Sequence, residues 1–341
     1  MSPIAPALAA LGAEVADLTG RFGRRVDPAV LGVLDRRGQL ALRAPGRVSA
    51  NGACGLFAAA DGWIAVNLAR DDDRDLVPAW LGCDYGVEPW AAVATLAPGR
   101  SAAELVESAA VLGLPVAAVG EATPGDLAPR RRRLAAGRAR RSGGLTVIDL
   151  SALWAGPLCG ALLAAMGAQV TRVDSLRRPD PTRGSTPDFF ARLNAAKAAL
   201  ALDLATPEGQ ARLFDEVAAA DVLITSARAR AFASVGLAPE AVFSANPGLV
   251  WVAVTGHGVE GAGAGRVAFG DDAAAAGGLV RWTRRGEPRF LGDALADPLT
   301  GLAAAAGALR ALGEGGGVMV DAAMARAAAG AAALCGLARA A

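Results

Sequence analysis

The 341-residue chain carries 34 basic and 33 acidic residues and one histidine, a formal net charge of +1. No global field draws such a protein to nucleic acid or to anionic membranes, so neither is expected as a partner and any polyanion site must be local. A content of 53% hydrophobic but only 5% aromatic residues calls for a core of Ala, Val and Leu, and the length allows one large domain and a smaller one.

In chain order, Met1-Ser2-Pro3 leads to Glu14 and Asp17 without a basic segment and a cleavable apolar one behind it, so no signal peptide is expected and the cytoplasm is the expected compartment. Residues 62–68 read as a strand, 102–112 as an amphipathic helix and 116–119 as a short strand, a small α/β domain over 1–121. Residues 122–143 read as a basic linker: Pro124, Gly125 and Pro129 precede Arg130-Arg131-Arg132-Arg133, Arg138, Arg140 and Arg141, then Ser142-Gly143-Gly144. That run is read either as a solvated connector or as a grip for phosphates.

Over 144–341 strands and helices alternate. Strands are expected at 145–150, 169–174, 199–204, 221–225 and 249–255. Helices are expected from about 157 to 166, closed by Gly167, from 206 to 220, and over the Ala- and Leu-rich stretch 302–312. Thr206 suits an N-cap, Pro207 the first helical position and Glu208 the positive end of the dipole. Parallel strands require crossover helices, so this half is expected to be a Rossmann-like, doubly wound parallel sheet. The apolar Ala-rich runs fall short of the roughly 20 residues of a bilayer span. Cys54, Cys83, Cys159 and Cys335 lie far apart with neither zinc nor disulfide spacing. They are expected to be buried free thiols, and no metal is expected.

Ligands of open α/β sheets bind beyond the carboxyl ends of the strands, which directs attention to the loops after Leu150, Asp174, Thr225 and Thr255. The first, Ser151-Ala152-Leu153-Trp154-Ala155-Gly156-Pro157, either meets a phosphate or pantetheine amide with its backbone amides or is an ordinary β-α turn. No Gly-x-Gly-x-x-Gly follows the first strand, and neither a Walker-type Gly-Lys-Ser/Thr nor a Gly-x-Ser-x-Gly elbow is present. His257, the single histidine, limits any triad. Carboxylate chemistry is what remains.

Several separated segments resemble the family III CoA-transferases, the group that includes formyl-CoA transferase, carnitine CoA-transferase and α-methylacyl-CoA racemase. Val147-Ile148-Asp149-Leu150-Ser151 with Ala155-Gly156-Pro157 is similar to the family's opening strand and loop, and 167–174 to its second strand. Asp180-Pro181-Thr182-Arg183-Gly184, Leu193-Asn194-Ala195-Ala196-Lys197, 202–209, 220–223, Asn246-Pro247 and Thr255-Gly256-His257-Gly258 follow in family order, over about 144–325. The resemblance implies a CoA-transferase that moves CoA between an acyl-CoA thioester and a carboxylic acid, with coenzyme A as co-substrate and a homodimer that is interlocked in the family. It places the nucleophilic carboxylate at Asp297, in Ala296-Asp297-Pro298-Leu299-Thr300-Gly301, just ahead of the small-residue helix. The same aspartate reads, without the family, as a cap ahead of Pro298. CoA contacts are expected from Ser151, Ala152 and Trp154, from Arg177, Arg178 and Arg183 after the second strand, and from Lys197, Ser226 and His257.

The chain departs from the family's pattern in five respects. The racemase branch has a His-Asp pair where this chain reads Ala268-Phe269-Gly270-Asp271-Asp272, and the family's Asn-Phe is Ser226-Ala227 here. The basic residue directly after the second strand is Ser175, and the glycine-rich loop of formyl-CoA transferase is not evident. The small-domain-like segment, with Asp61-Gly62-Trp63-Ile64-Ala65-Val66 and residues 109–119, comes first, as in a circular permutation. An acyl-CoA isomerase using Asp271 or His257 for proton transfer, and a catalytically silent CoA-binding protein, are the alternative readings.

Overall fold

A computed structural model describes residues 3–138 and 144–337. Helix α1 (Ala5–Phe22) buries Ala7, Leu11, Val15 and Leu18, which recur every three or four residues along one stripe. The small unit is an antiparallel sheet of β1 (Cys54–Ala58), β2 (Trp63–Asn67) and β3 (Val116–Ala118), with helix α2 (Ala102–Leu112) leading into β3. A capping box of Ser101 and Glu104 starts α2, and its Leu105, Val106 and Ala109 pack on Ile64 and Val66.

Strand β4 (Arg130–Arg133) has every side chain exposed and pairs antiparallel with the last strand of the chain, Arg133 opposite Val318. Four arginines on a sheet edge also discourage further strand pairing. Next come β5 (Thr146–Leu150), α3 (Ala155–Met166), β6 (Gln169–Ser175), β7 (Ala198–Leu202), α4 (Pro207–Ala219), β8 (Val222–Thr225) and β9 (Val250–Thr255). The chain continues with α5 (Gly270–Ala276), the hairpin β10 (Val280–Trp282) and β11 (Pro288–Phe290), α6 (Ala296–Gly313), β12 (Val318–Ala323) and α7 (Met324–Leu334).

The large sheet has the order β4-β12-β9-β8-β5-β6-β7 and is parallel except at β4. Its central strands are buried on both faces, which is why they read as unbroken apolar runs. Along β9, Val250, Val252 and Val254 join the core shared with α1, α3, α6 and α7, whereas Trp251 and Ala253 join the one under α4. Strand order reverses at β5: β6 and β7 lie to one side, and β8, β9 and β12 to the other. The loops after β5 and β8 therefore diverge over a crevice at the carboxyl ends of the strands. The doubly wound α/β fold with a second, smaller α/β unit is as expected. Thr206 caps α4 by accepting from the Gly209 amide at 3.1 Å.

Packing divides the chain differently from 1–121, 122–143 and 144–341. Helix α1 shares its core with Leu158, Leu162 and Leu309 of the large half, because its apolar stripe has no other face to cover. Arg130–Arg133 belong to the large sheet, where hydrogen bonds to β12 make a strand of a run that carries no strand pattern. Arg140, Arg141, Ser142 and Gly143 lie outside the described residues. Cys54 and Cys159 are buried, but Cys83 and Cys335 are half-buried, so the expectation holds for two of the four thiols. No helix among the described residues is long and apolar enough to cross a membrane.

Candidate active site

The crevice at the strand-order reversal holds a cavity of about 260 Å³. Ala152, Leu153, Ala155 and Gly156 after β5 and Ser226, Ala227 and Arg228 after β8 form one side of it. Phe269 and Gly270 at the start of α5 line it, as does Asp297.

Asp297 is the second residue of α6, inside the first turn and not ahead of the helix as its sequence suggested. Helix α6 begins at Ala296, and Pro298 in its first turn sacrifices no hydrogen bond, because the first amides of a helix have no intrahelical partner. The N-cap position is Leu295 and no side chain caps the helix. The Asp297 carboxylate turns away from its own helix: Oδ1 accepts from the Ala155 amide, the first residue of α3, at 3.3 Å. A carboxylate at a helix N-terminus gains about 0.3–1 kcal/mol from the dipole. Gly270 completes the fit, since a Cβ there would overlap Asp297 Oδ2 and come within 2.7 Å of the Ala294 Cβ.

Asp297 is only 9% exposed. Burial pushes its pKa from 3.8 up to about 7, against the pull of Arg36 and the Ala155 amide and with a further push from Asp271 and Asp293. Asp271 is likewise raised by burial, to about 6. Asp272, raised well above the carboxylate range by burial, accepts from the Phe269 amide and from Asn67. A carboxyl poised near neutrality in a concave site is a candidate for chemistry rather than for structure.

Four guanidinium groups, Arg70, Arg178, Arg228 and Arg266, line the same cavity. Arg70 is paired with the buried Asp73 and lies 5.5 Å from the Phe269 ring centroid. Arg266 is paired with Glu121 at 2.6 Å and donates to the Val116 carbonyl. Arg178 is exposed after β6. Arg70 and Arg266 are each neutralised by a carboxylate of the protein, so the cavity suits a substrate that brings a negatively charged group near Arg178.

Of the expected CoA contacts, Ala152, Arg178 and Ser226 meet at the cavity with Asp297, and the Ala152 amide donates to Ser226 Oγ at 2.9 Å. The others lie elsewhere. Ser151 donates to Asp149 beneath the loop, and Lys197 is buried against Asp149 at 2.7 Å and the Pro157 carbonyl at 2.8 Å. Trp154 is 3% exposed, donates to the Val33 carbonyl and packs edge-on against Phe189. Arg177 is held by Asp203, and Arg183 by Asp174. His257 lies in a neighbouring hollow with Arg130, Arg266 and Arg326, and burial, then Arg266, lower its pKa to about 3.

Sequence reasoning missed Arg70, Arg228 and Arg266. Arg228 could have been found by extending the loop after β8 by two residues. Arg266 lies in the loop after β9, to which the sheet topology also points, whereas Arg70 carries no local signal, because it follows β2 and reaches the site only when the small unit folds over it.

A model of CoA-transferase family III matches residues 143–336. The chain is 34% identical over 189 residues to the succinyl-CoA–D-citramalate CoA-transferase of Chloroflexus aurantiacus, covering 51% of this chain and 47% of that protein. It is 32% identical over 200 residues to the succinate–glutarate CoA-transferase of Agrobacterium fabrum, covering 53% and 50%. Among solved structures, a CaiB/BaiF family protein from Brucella suis superposes with a TM-score of 0.51 at 30% identity, covering 56% of this chain and 55% of that one. The chain spans about half the length of the curated relatives it matches.

Proposed function

The chain belongs to CoA-transferase family III, and from that membership we propose that it transfers CoA between an acyl-CoA thioester and a carboxylic acid, with Asp297 as the attacking carboxylate. The observation that carries the reading is the Asp297 carboxylate, buried in the wall of a cavity lined by arginines and turned toward the start of α3 instead of capping its own helix.

In the proposed cycle an Asp297 oxygen attacks the thioester carbonyl carbon, the C–S bond breaks, and CoA thiolate leaves behind a mixed anhydride. The thiolate then attacks the Asp297 carbonyl carbon, which expels the first acid as its carboxylate and leaves an aspartyl-CoA thioester. The acceptor carboxylate attacks that thioester, CoA leaves again, and its return to the acceptor's acyl carbon frees Asp297. No net proton or electron is consumed. Dividing one difficult acyl transfer into easier steps is what a covalent carboxylate contributes. The start of α3 is where amide donors can meet each tetrahedral oxyanion.

The substrate class proposed is a dicarboxylic acid and its CoA thioester. Relatives named for succinate, glutarate and citramalate support it. Arg178 and Arg228, on the β6 and β8 loops, are assigned to CoA phosphates. The isomerase reading has no such support: His257 lies outside the cavity, and both oxygens of Asp271 are occupied by Ala294 and Asn51. A permuted domain order and a homodimer belong to the proposal, the former supported by the small sheet preceding the matched residues.

Succinyl-CoA mixed with glutarate or citramalate is expected to yield the new CoA thioester by chromatography, with butyrate a poorer acceptor. In calorimetry CoA is expected to bind more weakly as salt rises, and roughly 10-fold more weakly to Arg178→Ala, because phosphate contacts are charge-assisted and screened. Absence of CoA binding at low salt, or thioester hydrolysis without exchange, would overturn the reading.

A further inference from the structure

The two walls that hold Asp297 are each strained and are joined by residues outside the family match. Among the described residues, Leu153 at φ 70° and Ala294 at φ 45° are the non-glycine positions in the left-handed region. Leu153 lies in the loop that presents the Ala155 amide, and Ala294 accepts from the Asp297 amide at 2.9 Å. Such conformations persist only where the surroundings enforce them. Asp180 accepts from the Leu153 amide at 3.0 Å, and Asp271 accepts from the Ala294 amide at 2.7 Å.

The N-terminal segment ties these supports together. Arg36 grips Asp293 through two parallel bonds of 2.8 Å, while its guanidinium lies 4.9 Å from the centroid of the Trp154 ring in the opposite wall. Both partners of the pair are largely shielded, at 15% and 9% exposure. Asn51 donates to Asp271 at 2.8 Å and to Asp293 at 3.1 Å, and its own oxygen accepts from the Ala53 amide and Ser49. The Asn51 side-chain amide and the Nε and Nη2 of Arg36 are therefore all engaged, and the bridge ends on the turn that carries the nucleophile.

We infer that Arg36 and Asn51 are positioning residues for Asp297, clasping the loop after β5 to the turn before α6 so that carboxylate and Ala155 amide keep their geometry. The inference rests on the proposed role of Asp297. It assigns the segment before the family match a part in completing the site, and neither Arg36 nor Asn51 lines the cavity. The charged groups acting on Asp297 from the elements packed around it are Arg36, Asp271 and Asp293, with Arg70, Arg178, Arg228 and Arg266 lining the same cavity. Of the first three, Arg36 alone favours the ionised form.

The test uses the full chain and the variants Arg36→Ala, Arg36→Lys and Asn51→Ala. Transfer kinetics with succinyl-CoA are measured beside the pH dependence of Asp297 labelling by a carbodiimide and an amine, mapped by mass spectrometry. Arg36→Ala is expected to lose about 100-fold in kcat with little change in KM, the scale of a misplaced reacting group. Its labelling midpoint should move up by roughly one pH unit, because a neighbouring cation has gone. Arg36→Lys, which keeps the charge and loses the fork, is expected to restore the midpoint but not kcat. Asn51→Ala should lower kcat alone. Wild-type kcat and midpoint in Arg36→Ala, or a fall in Tm with neither moved, overturns the inference. If Arg36→Ala does not fold, wild-type kcat in Arg36→Lys overturns it equally. A wild type that transfers nothing but whose labelling midpoint still shifts in Arg36→Ala would refute the proposed function and leave the clasp standing.

Discussion

Asp297→Asn is expected to abolish CoA transfer, by roughly 10³-fold or more, while the protein folds as before and gains stability at alkaline pH. The loss follows from exchanging the nucleophilic carboxylate for a neutral amide while keeping size and polarity. The gain follows from linkage. Burial raises the folded-state pKa of Asp297 from 3.8 to about 7, so the folded protein binds the proton more tightly than the unfolded chain. That contribution is fully present below about pH 4 and is lost as pH rises through about 7. Near pH 4 the Asn variant should come close to wild type, the gap should open as pH rises from there, and at pH 8–9 the variant should be more stable by about 1–3 kcal/mol, below the roughly 4 kcal/mol that three full pKa units would give. The rate of the wild type should rise with pH around the same midpoint, since only the ionised carboxyl attacks. Urea denaturation at the two pH values, beside a transfer assay, checks all three. A capping role would give the opposite pattern, with Asn silent in both assays and Asp297→Ala costing about 1 kcal/mol.

The second large effect is expected at Lys197, where substitution should damage the fold rather than CoA binding. The side chains of Lys197 and Asp149 are both fully buried and meet at 2.7 Å, and Asp149 also accepts from Ser151. Taking away one partner of such a pair leaves the other charge without compensation, at a cost of about 3–5 kcal/mol. Lys197→Met should therefore lower the urea midpoint sharply, and adding Asp149→Asn should recover much of the loss, a coupling that a double-mutant cycle measures. Equal and additive losses in the two single variants would show that the pair is not the source. Gly160 belongs to the same arrangement, since a Cβ there would strike Asp149 and come within 3.0 Å of Lys197 Nζ.

Much of the large half was legible because its signals are local. Buried strands such as β9 are unbroken apolar runs, Thr206-Pro207 marks a helix start, and Gly167, at φ 111°, ends α3. Helix α1 went unread because its stripe of Ala7, Leu11, Val15 and Leu18 is diluted by Ala and Gly on the other faces. Strand β4 could not be read at all: four consecutive arginines have no period, and only pairing with β12 makes them a strand. The same division holds at the site. Asp297, Ala152 and Ser226 lie in loops or helix starts that the sheet topology points to. Arg36 and Asn51 meet partners 257 and 220 residues away, a distance no pattern in the chain bridges. Lys197 and Trp154 show the converse error, in which polar or aromatic side chains next to the right loops turn inward to hold them.

The central claim is that Asp297 becomes covalently acylated during turnover, and peptide mapping of the trapped enzyme tests it most directly. The 341-residue protein incubated with succinyl-CoA and quenched with hydroxylamine should carry a hydroxamate on the peptide containing Asp297, and the same treatment of Asp297→Asn should leave that peptide unmodified. A hydroxamate at Asp271, Asp272 or Asp293 instead, or transfer that proceeds with no modified carboxylate at all, would contradict the account.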